Sequence, residues 1–399
     1  MLTKVYLFCD SVERYLFFKR FYSVDRDISI VFVTNQPLVC FLCKTNKSEF
    51  IYLNICIGRS VPINLDVSSY YKTFEYLLGK VTRQESERIL KIYIKILNDK
   101  IRPSKENKKV FLIWNGHSSL AHGAKFYANN NNIDCFYLEL SNLPNKIFVS
   151  KHGVNAYSEL YSQPSILDEY DDIDNIVHES WLLEYEEYKT RIIPQAKVSK
   201  FDLMLRSINK LFNLMFFLIV FKKRVDFGYF WARPTPVNVK GVDSVDIDIN
   251  RKYIFCPLQV SSDTQILLNS DVDNEGLLRT ASLIAKEQGK ELFVKIHPAE
   301  KSQVEVNRIV KLRDELGFYL VSIDTITLIK QSDEVFVINS TVGLESMIYG
   351  KKVTTLGRAF FSGFNEERLK KYIHRYLING VEYFDTEKIN MDKILGRFL

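Results

Sequence analysis

Short apolar runs recur through the first part of the chain, at Lys4–Cys9, Ile28–Thr34, Phe50–Ile55, Val110–Trp114 and Cys135–Glu139. Each has strand length, and segments of helical period lie between them, among them Tyr70–Leu78 and Gln84–Leu97. Strand, helix and strand at this spacing predict a parallel α/β sheet. A second series begins at Tyr253. Tyr253–Val260, Glu291–Ile296, Phe318–Ser322, Val335–Ile338 and Lys352–Leu356 read as strands, and Glu275–Gln288, Asn307–Glu315 and a segment from Thr341 read as helices.

Between the two series the pattern changes. An acidic run at Asp168–Asp174, then Glu179–Glu187, then an apolar-basic stretch and the Pro-containing ARPTPVN predict a largely helical interdomain region. The organisation expected is therefore residues 1–160, 161–240 between the domains, 241–364, and 365–399 as final helices crossing back toward the first domain. Two Rossmann-like domains facing a cleft is the α/β architecture this predicts, and 399 residues suit two cores better than one.

Composition adds limits. With 46% hydrophobic and 26% charged residues the chain is globular rather than disordered. A net charge of +6 favours anionic partners, but no basic patch interleaved with aromatics marks a nucleic-acid module, so nucleic acid is not an expected partner. The six cysteines sit mostly in apolar runs, as small core residues of a reduced cytoplasmic protein. Cys40 and Cys43 have the spacing of a metal site but lack a second pair, so a buried strand pair is expected and no metal. An Asp and a Glu interrupt the apolar start of the chain, and no export signal is expected.

Leu211–Phe221 (LFNLMFFLIVF) followed by Lys222, Lys223 and Arg224 raises a membrane question. The run is too short to cross a hydrocarbon core of ~30 Å. Two readings stay open for Leu211–Arg224: a buried helix, or an interfacial segment whose basic end meets anionic headgroups on the inner face of the membrane.

In open α/β sheets ligands bind at the carboxyl ends of strands. Three segments of the second half place polar groups there. In CPLQVSSDTQI, Gln259 lies in an apolar strand, with Asp263 and Gln265 after it. In LFVKIHPAE, His297 and Pro298 stand at a strand tip, where the imidazole can donate to a phosphate. In VFVINSTVGLESMIYG, Asn339, Ser340 and Thr341 lie between a strand and a helix, so hydroxyls and free N–H groups meet where the helix dipole favours an anion. Gly343 would allow close approach there, and Glu345 could accept hydrogen bonds from ribose hydroxyls.

These strings carry a resemblance. HP, then NSTVGLESMIYGKKVTTLG about forty residues later, with PLQVSSDTQI upstream, resembles the capsular polysaccharide biosynthesis family of KpsC/KpsS type, which are β-Kdo transferases. KHGVNAYS at Lys151–Ser158 is similar to the GVNAYS segment of its lipid-priming members, so the likeness runs from about residue 110 to 360. It implies a GT-B-type glycosyltransferase that uses CMP-Kdo as donor substrate, with no cofactor and no metal. His297, Ser340 and Thr341 would then meet the CMP phosphate. Gln259, Asp263 and Gln265 would lie near donor or acceptor, and Asn155 and Tyr157 by the acceptor or cleft. The acceptor would be a glycolipid or saccharide.

The family retains configuration through a sugar adduct on an acid in an E-[DE]-G segment. Here that segment reads LELSNLPN, so Leu138, Leu140 and Leu143 replace the first acid, the glycine and the arginine, and Glu139 is the acid left as nucleophile. His117, in WNGHSS at the end of another strand, is the candidate second acid/base group. Two further readings follow from these departures. One changes the donor to CMP-sialic acid or a UDP-sugar; the other is a non-catalytic capsule assembly protein.

Overall fold

The computed structural model describes residues 3–25, 27–54, 65–101, 107–141, 143–190, 204, 207–212, 251–383 and 385–397. The chain divides into two units: 1–154 with 175–227 and 375–399, and 155–174 with 228–374.

In the first unit a seven-stranded sheet runs Ile378–Asn379, Lys146–Ser150, Asp134–Leu140, Lys108–Trp114, Thr3–Cys9, Ile28–Thr34, Phe50–Tyr52 among the described residues. Lys146–Ser150 pairs antiparallel with both of its neighbours, and the remaining pairs are parallel. Counted in chain order, its parallel strands lie 3-2-1-4-5. The order therefore reverses between Thr3–Cys9 and Lys108–Trp114, which makes their carboxyl ends a topological switch point. One face packs Val5, Leu7 and Cys9 with Val110, Leu112 and Trp114 into a single core, as the two-residue period of strands requires.

Among its described residues the second unit holds a five-stranded parallel sheet in the order Tyr319–Leu320, Glu291–Lys295, Tyr253–Pro257, Glu334–Val337, Lys352–Thr355. This too is 3-2-1-4-5, with the switch point between Tyr253–Pro257 and Glu334–Val337. Ile254, Cys256 and Phe336 belong to one core and Tyr253, Phe255 and Val335 to another, so successive residues serve opposite faces and both faces are covered.

Several expectations are corrected. Cys40 and Cys43 are not a strand pair: they lie on the helix Pro37–Thr45, whose proline opens its first turn. The helix expected over Tyr70–Leu78 is confined to Phe74–Leu77, capped by Thr73. The helix expected at Gln84–Leu97 extends over Arg83–Lys100 behind a Thr82–Glu85 capping box. Residues 161–240 are not one region, since 155–174 belong to the second unit and the helix Asn175–Thr190 to the first. In the second unit Asp168 pairs with Arg368 at 2.6 Å and Asp172 with Lys371 at 2.8 Å, which gives the acidic run partners. The change of unit near the end falls after His374, inside the π-helical turn Tyr372–Tyr376, later than the expected 365.

Of Leu211–Arg224, residues 213–224 lie outside the described residues. Phe212 packs on Phe41 with ring centroids 5.7 Å apart, and Leu211 is exposed. Among the described residues no helix is long and apolar enough to cross a membrane.

Candidate functional site

The candidates of the second unit converge on its switch point. The strand Tyr253–Pro257 ends before Gln259, which is therefore a residue of the strand's exit and not of its interior. Buried there, Gln259 donates from Nε2 to Asn339 Oδ1 at 3.0 Å and accepts from Asn339 N at 3.1 Å. Asn339 Nδ2 in turn donates to the carbonyl of Gln265 at 2.9 Å. Asp263 caps the helix Thr264–Asn269, accepting from Gln265 N at 2.8 Å, and Asn269 Nδ2 donates to Gln265 Oε1 at 2.8 Å. Gln259, Asp263, Gln265 and Asn339 thus form one hydrogen-bonded frame. Their mutual bonds make Gln259 and Asn339 parts of the frame first.

His297 is exposed beside this frame, two residues past the strand Glu291–Lys295, with exposed Pro298 after it. Its Nδ1 accepts from the backbone N–H of Ala299 at 3.0 Å, which leaves the proton on Nε2 in the neutral ring. Desolvation holds its pKa below the usual histidine value, against the pull of Asp263 and Glu300. Glu300 ties the loop to the first segment: its carboxylate accepts from Ser261 N at 2.7 Å, Ser261 Oγ at 3.2 Å, and the backbone N–H groups of Lys301 and Ser302.

Ser340 caps the helix Thr341–Ile348, its Oγ accepting from Val342 N at 3.2 Å. Thr341 is exposed at the first turn, and Glu345 is partly exposed one turn on. Gly343 does not offer the close approach expected of it. It is buried, and a Cβ there would stand 2.8 Å from Phe361 and 2.9 Å from Val337, so its smallness serves the seating of the helix on the sheet.

Arg358 was not singled out in the sequence. Its backbone N–H donates to Asn269 O at 2.8 Å, its guanidinium holds Asp271 at 2.7 Å, and Tyr157 and Tyr161 lie within its electrostatic reach. Tyr157 follows Asn155, whose φ of 54° and carbonyl, accepting from Ser158 Oγ at 2.7 Å, shape the turn.

In the first unit Glu139 stands at the carboxyl end of Asp134–Leu140. The register pairs Trp114 with Leu138 and Phe8 with Ile113, so Asp10, Asn115 and Glu139 form one row across three neighbouring strands. Asn115 hydrogen-bonds the Glu139 carboxylate and accepts from His117 N at 3.2 Å. The turn that places it is tight: Asn115 and Gly116 have φ of 42° and 87°, and a Cβ on Gly116 would meet Tyr137 at 2.9 Å. Burial raises the pKa of Glu139, Arg14 and the bond from Leu140 N lower it, and Asp10 raises it. His117 has other company. Its buried ring is pushed down to about 4 by desolvation, then by His122 and Lys125, so the charged groups around it are not those around Glu139. The acid beside Glu139 is Asp10.

Residues 110–365 match the family described as capsule polysaccharide biosynthesis protein, more than half of the 399 residues. The chain belongs to that family. The chain is also 33% identical over 119 residues to Protein FixF of Sinorhizobium fredii, a stretch covering 29% of this chain and 29% of FixF. It therefore spans under a third of that relative's length. Among solved structures, Thermosulfurimonas dismutans KpsC, a β-Kdo 2,7 transferase, aligns at 15% identity and TM-score 0.44 over 100% of this chain and 99% of that one. The β-Kdo 2,4 transferase of the same KpsC aligns at 16% identity and TM-score 0.41, over 76% and 95%. The family match takes in His117, Glu139 and the frame of the second unit, and begins after Asp10 and Arg14.

Proposed function

We propose that this chain is a retaining glycosyltransferase that moves Kdo from CMP-Kdo to a glycolipid or saccharide acceptor. The observation that carries the reading is the gathering of Gln259, Asp263, Gln265, His297, Asn339 and Ser340, from three distant segments, at one switch point. His297 donates from Nε2 to the phosphate, with the hydroxyls of Ser340 and Thr341 beside it, and Glu345 receives the ribose. The Gln259–Asn339 pair holds these donors in place, while Arg358 adds a cation at the same edge. Asn155 and Tyr157 serve the acceptor. Glu139 of the first unit is the nucleophile. The phosphate is taken by N–H and O–H donors, so transfer in this reading needs no metal and proceeds in a chelator. A cytoplasmic site of action, with Leu211–Arg224 as contact to the membrane face, belongs to the same proposal.

A panel of CMP-Kdo, CMP-sialic acid and UDP-sugars tests it by thermal shift and by release of free nucleotide. A donor at a hundred times its Kd stabilises the chain by about 2.7 kcal/mol. CMP-Kdo is expected to give the largest shift and to lose CMP. A shift from UDP-sugars alone would replace the donor, and no shift from any of them would overturn the reading.

A further inference from the structure

The row Asp10, Asn115, Glu139 crosses the switch point of the first sheet, where Thr3–Cys9 and Lys108–Trp114 part in opposite directions of strand order. Neighbouring strands lie about 4.8 Å apart, so the backbones of Asp10 and Glu139 stand about 10 Å from each other, with Asn115 between them. Both carboxylates lie within reach of one guanidinium, Arg14, which stacks on the Trp114 ring at 4.0 Å and donates to the Tyr383 hydroxyl. A separate feature points to a ligand in the same place. Trp114 ends the strand between the two acids and is 2% exposed, yet its indole N–H has no acceptor among the described residues. Buried donors are nearly always paired, so an oxygen from outside the chain is the group that would complete it.

We propose that Asp10 is the general base of the transfer, taking the proton of the attacking hydroxyl as Glu139 leaves the sugar. The inference rests on the transferase reading above. In the first displacement a Glu139 oxygen bonds to the anomeric carbon while the bond from that carbon to the CMP phosphate oxygen breaks, its electron pair leaving with the phosphate. A phosphomonoester has a second pKa of about 6, so CMP departs without a proton donor. The second displacement is different. A hydroxyl oxygen bonds to the anomeric carbon, the ester bond to Glu139 breaks and returns its electrons to the carboxylate, and the hydroxyl proton must go to a base. Asp10 takes it and passes it to solvent.

The other candidates are engaged elsewhere. Glu75 accepts from Ser119 N at 3.0 Å and Ser119 Oγ at 2.8 Å at the start of a helix, and His117 sits among His122 and Lys125. Asp10 itself accepts a bond from Ser118, and burial raises its pKa against the pull of Arg14, which brings a carboxylate closer to the strength a base needs near neutral pH. It also lies outside the family match, so this base would belong to the chain's own first strand.

The test separates the two displacements, with CMP-Kdo as donor and water as acceptor. Asp10→Asn is expected to release one CMP per chain in a burst, to carry the sugar as a covalent adduct in intact-protein mass spectrometry, and then to turn over about 100- to 10,000-fold more slowly than wild type. Azide, an anion that needs no deprotonation, should restore its turnover as a glycosyl azide. Glu139→Gln should give neither burst nor adduct and a loss of three orders of magnitude or more, with melting temperature and donor binding retained. Unchanged turnover in Asp10→Asn, or loss of burst and adduct together in a folded variant, overturns the assignment. Should that variant unfold, Asp10→Glu carries the test: a normal burst with slowed turnover supports the base, and equal slowing of both steps overturns it. A wild type that releases no nucleotide from any donor overturns the transferase reading, and the base falls with it.

Discussion

Gln259 and Asn339 exchange two hydrogen bonds across the switch point of the second sheet, Gln259 Nε2 to Asn339 Oδ1 at 3.0 Å and Asn339 N to Gln259 Oε1 at 3.1 Å. They lie 80 residues apart and close the gap that the reversal of strand order opens. Gln259→Leu keeps the volume and removes both bonds, leaving a backbone N–H without its acceptor. The expected loss is about 2–3 kcal/mol in urea unfolding at unchanged m-value, since each orphaned polar group costs about 1–3 kcal/mol. A loss under about 0.5 kcal/mol would show that the pair contributes little to the frame.

His297→Ala separates binding from folding. The ring is exposed and its bond from Ala299 N to Nδ1 is local, so the melting temperature should hardly move. A charge-assisted hydrogen bond to phosphate contributes roughly 1.5–3 kcal/mol, so CMP affinity by titration calorimetry should fall about ten- to a hundred-fold. Equal affinity in the folded variant would remove His297 from the donor site.

What the sequence made legible follows from how local each feature is. Strands are readable because apolar runs such as Tyr253–Pro257 carry their own signal, and polar residues at strand exits stand out against those runs. The row of Asp10, Asn115 and Glu139 is not readable: it is made by the register of three strands, the first of which lies more than a hundred residues before the other two, and no local pattern contains it. In the sequence the helix Pro37–Thr45 reads as strand, because a short apolar run such as VCFLC does not reveal its period. Asn115, which bonds both the Glu139 carboxylate and the His117 backbone N–H, carries no signal of its own in the sequence, because its place depends on the tight turn at Asn115–Gly116.

Gly343→Ala tests the corrected role of that glycine. The added methyl would stand 2.8 Å from Phe361 and 2.9 Å from Val337, both buried, so the helix must shift or the ring must turn. Overpacking of this kind costs about 1–3 kcal/mol. A chain as stable as wild type would mean that the helix is loosely seated.

The last prediction turns on the buried imidazole of His117, which burial, with His122 and Lys125 opposing its charge, pushes down to about 4 from 6.5. In the unfolded chain the ring takes up a proton near pH 6.5, whereas in the folded chain it stays neutral until about pH 4. Between these values the unfolded state binds more protons, so stability is fully present above pH 6.5 and falls with pH down to about 4. One pKa unit is 1.36 kcal/mol, which makes the total about 3 kcal/mol. Asp10 and Glu139 act in the opposite sense, because burial raises their pKa values and the folded state takes their protons first. Their effect cancels when wild type is compared with His117→Gln, whose side chain does not titrate. The difference in unfolding free energy between the two proteins, followed by urea titration from pH 7.5 to 4, should narrow or reverse by about 3 kcal/mol to the disadvantage of wild type. A difference that stays constant over that range would mean that His117 titrates alike in both states and is not desolvated in the fold.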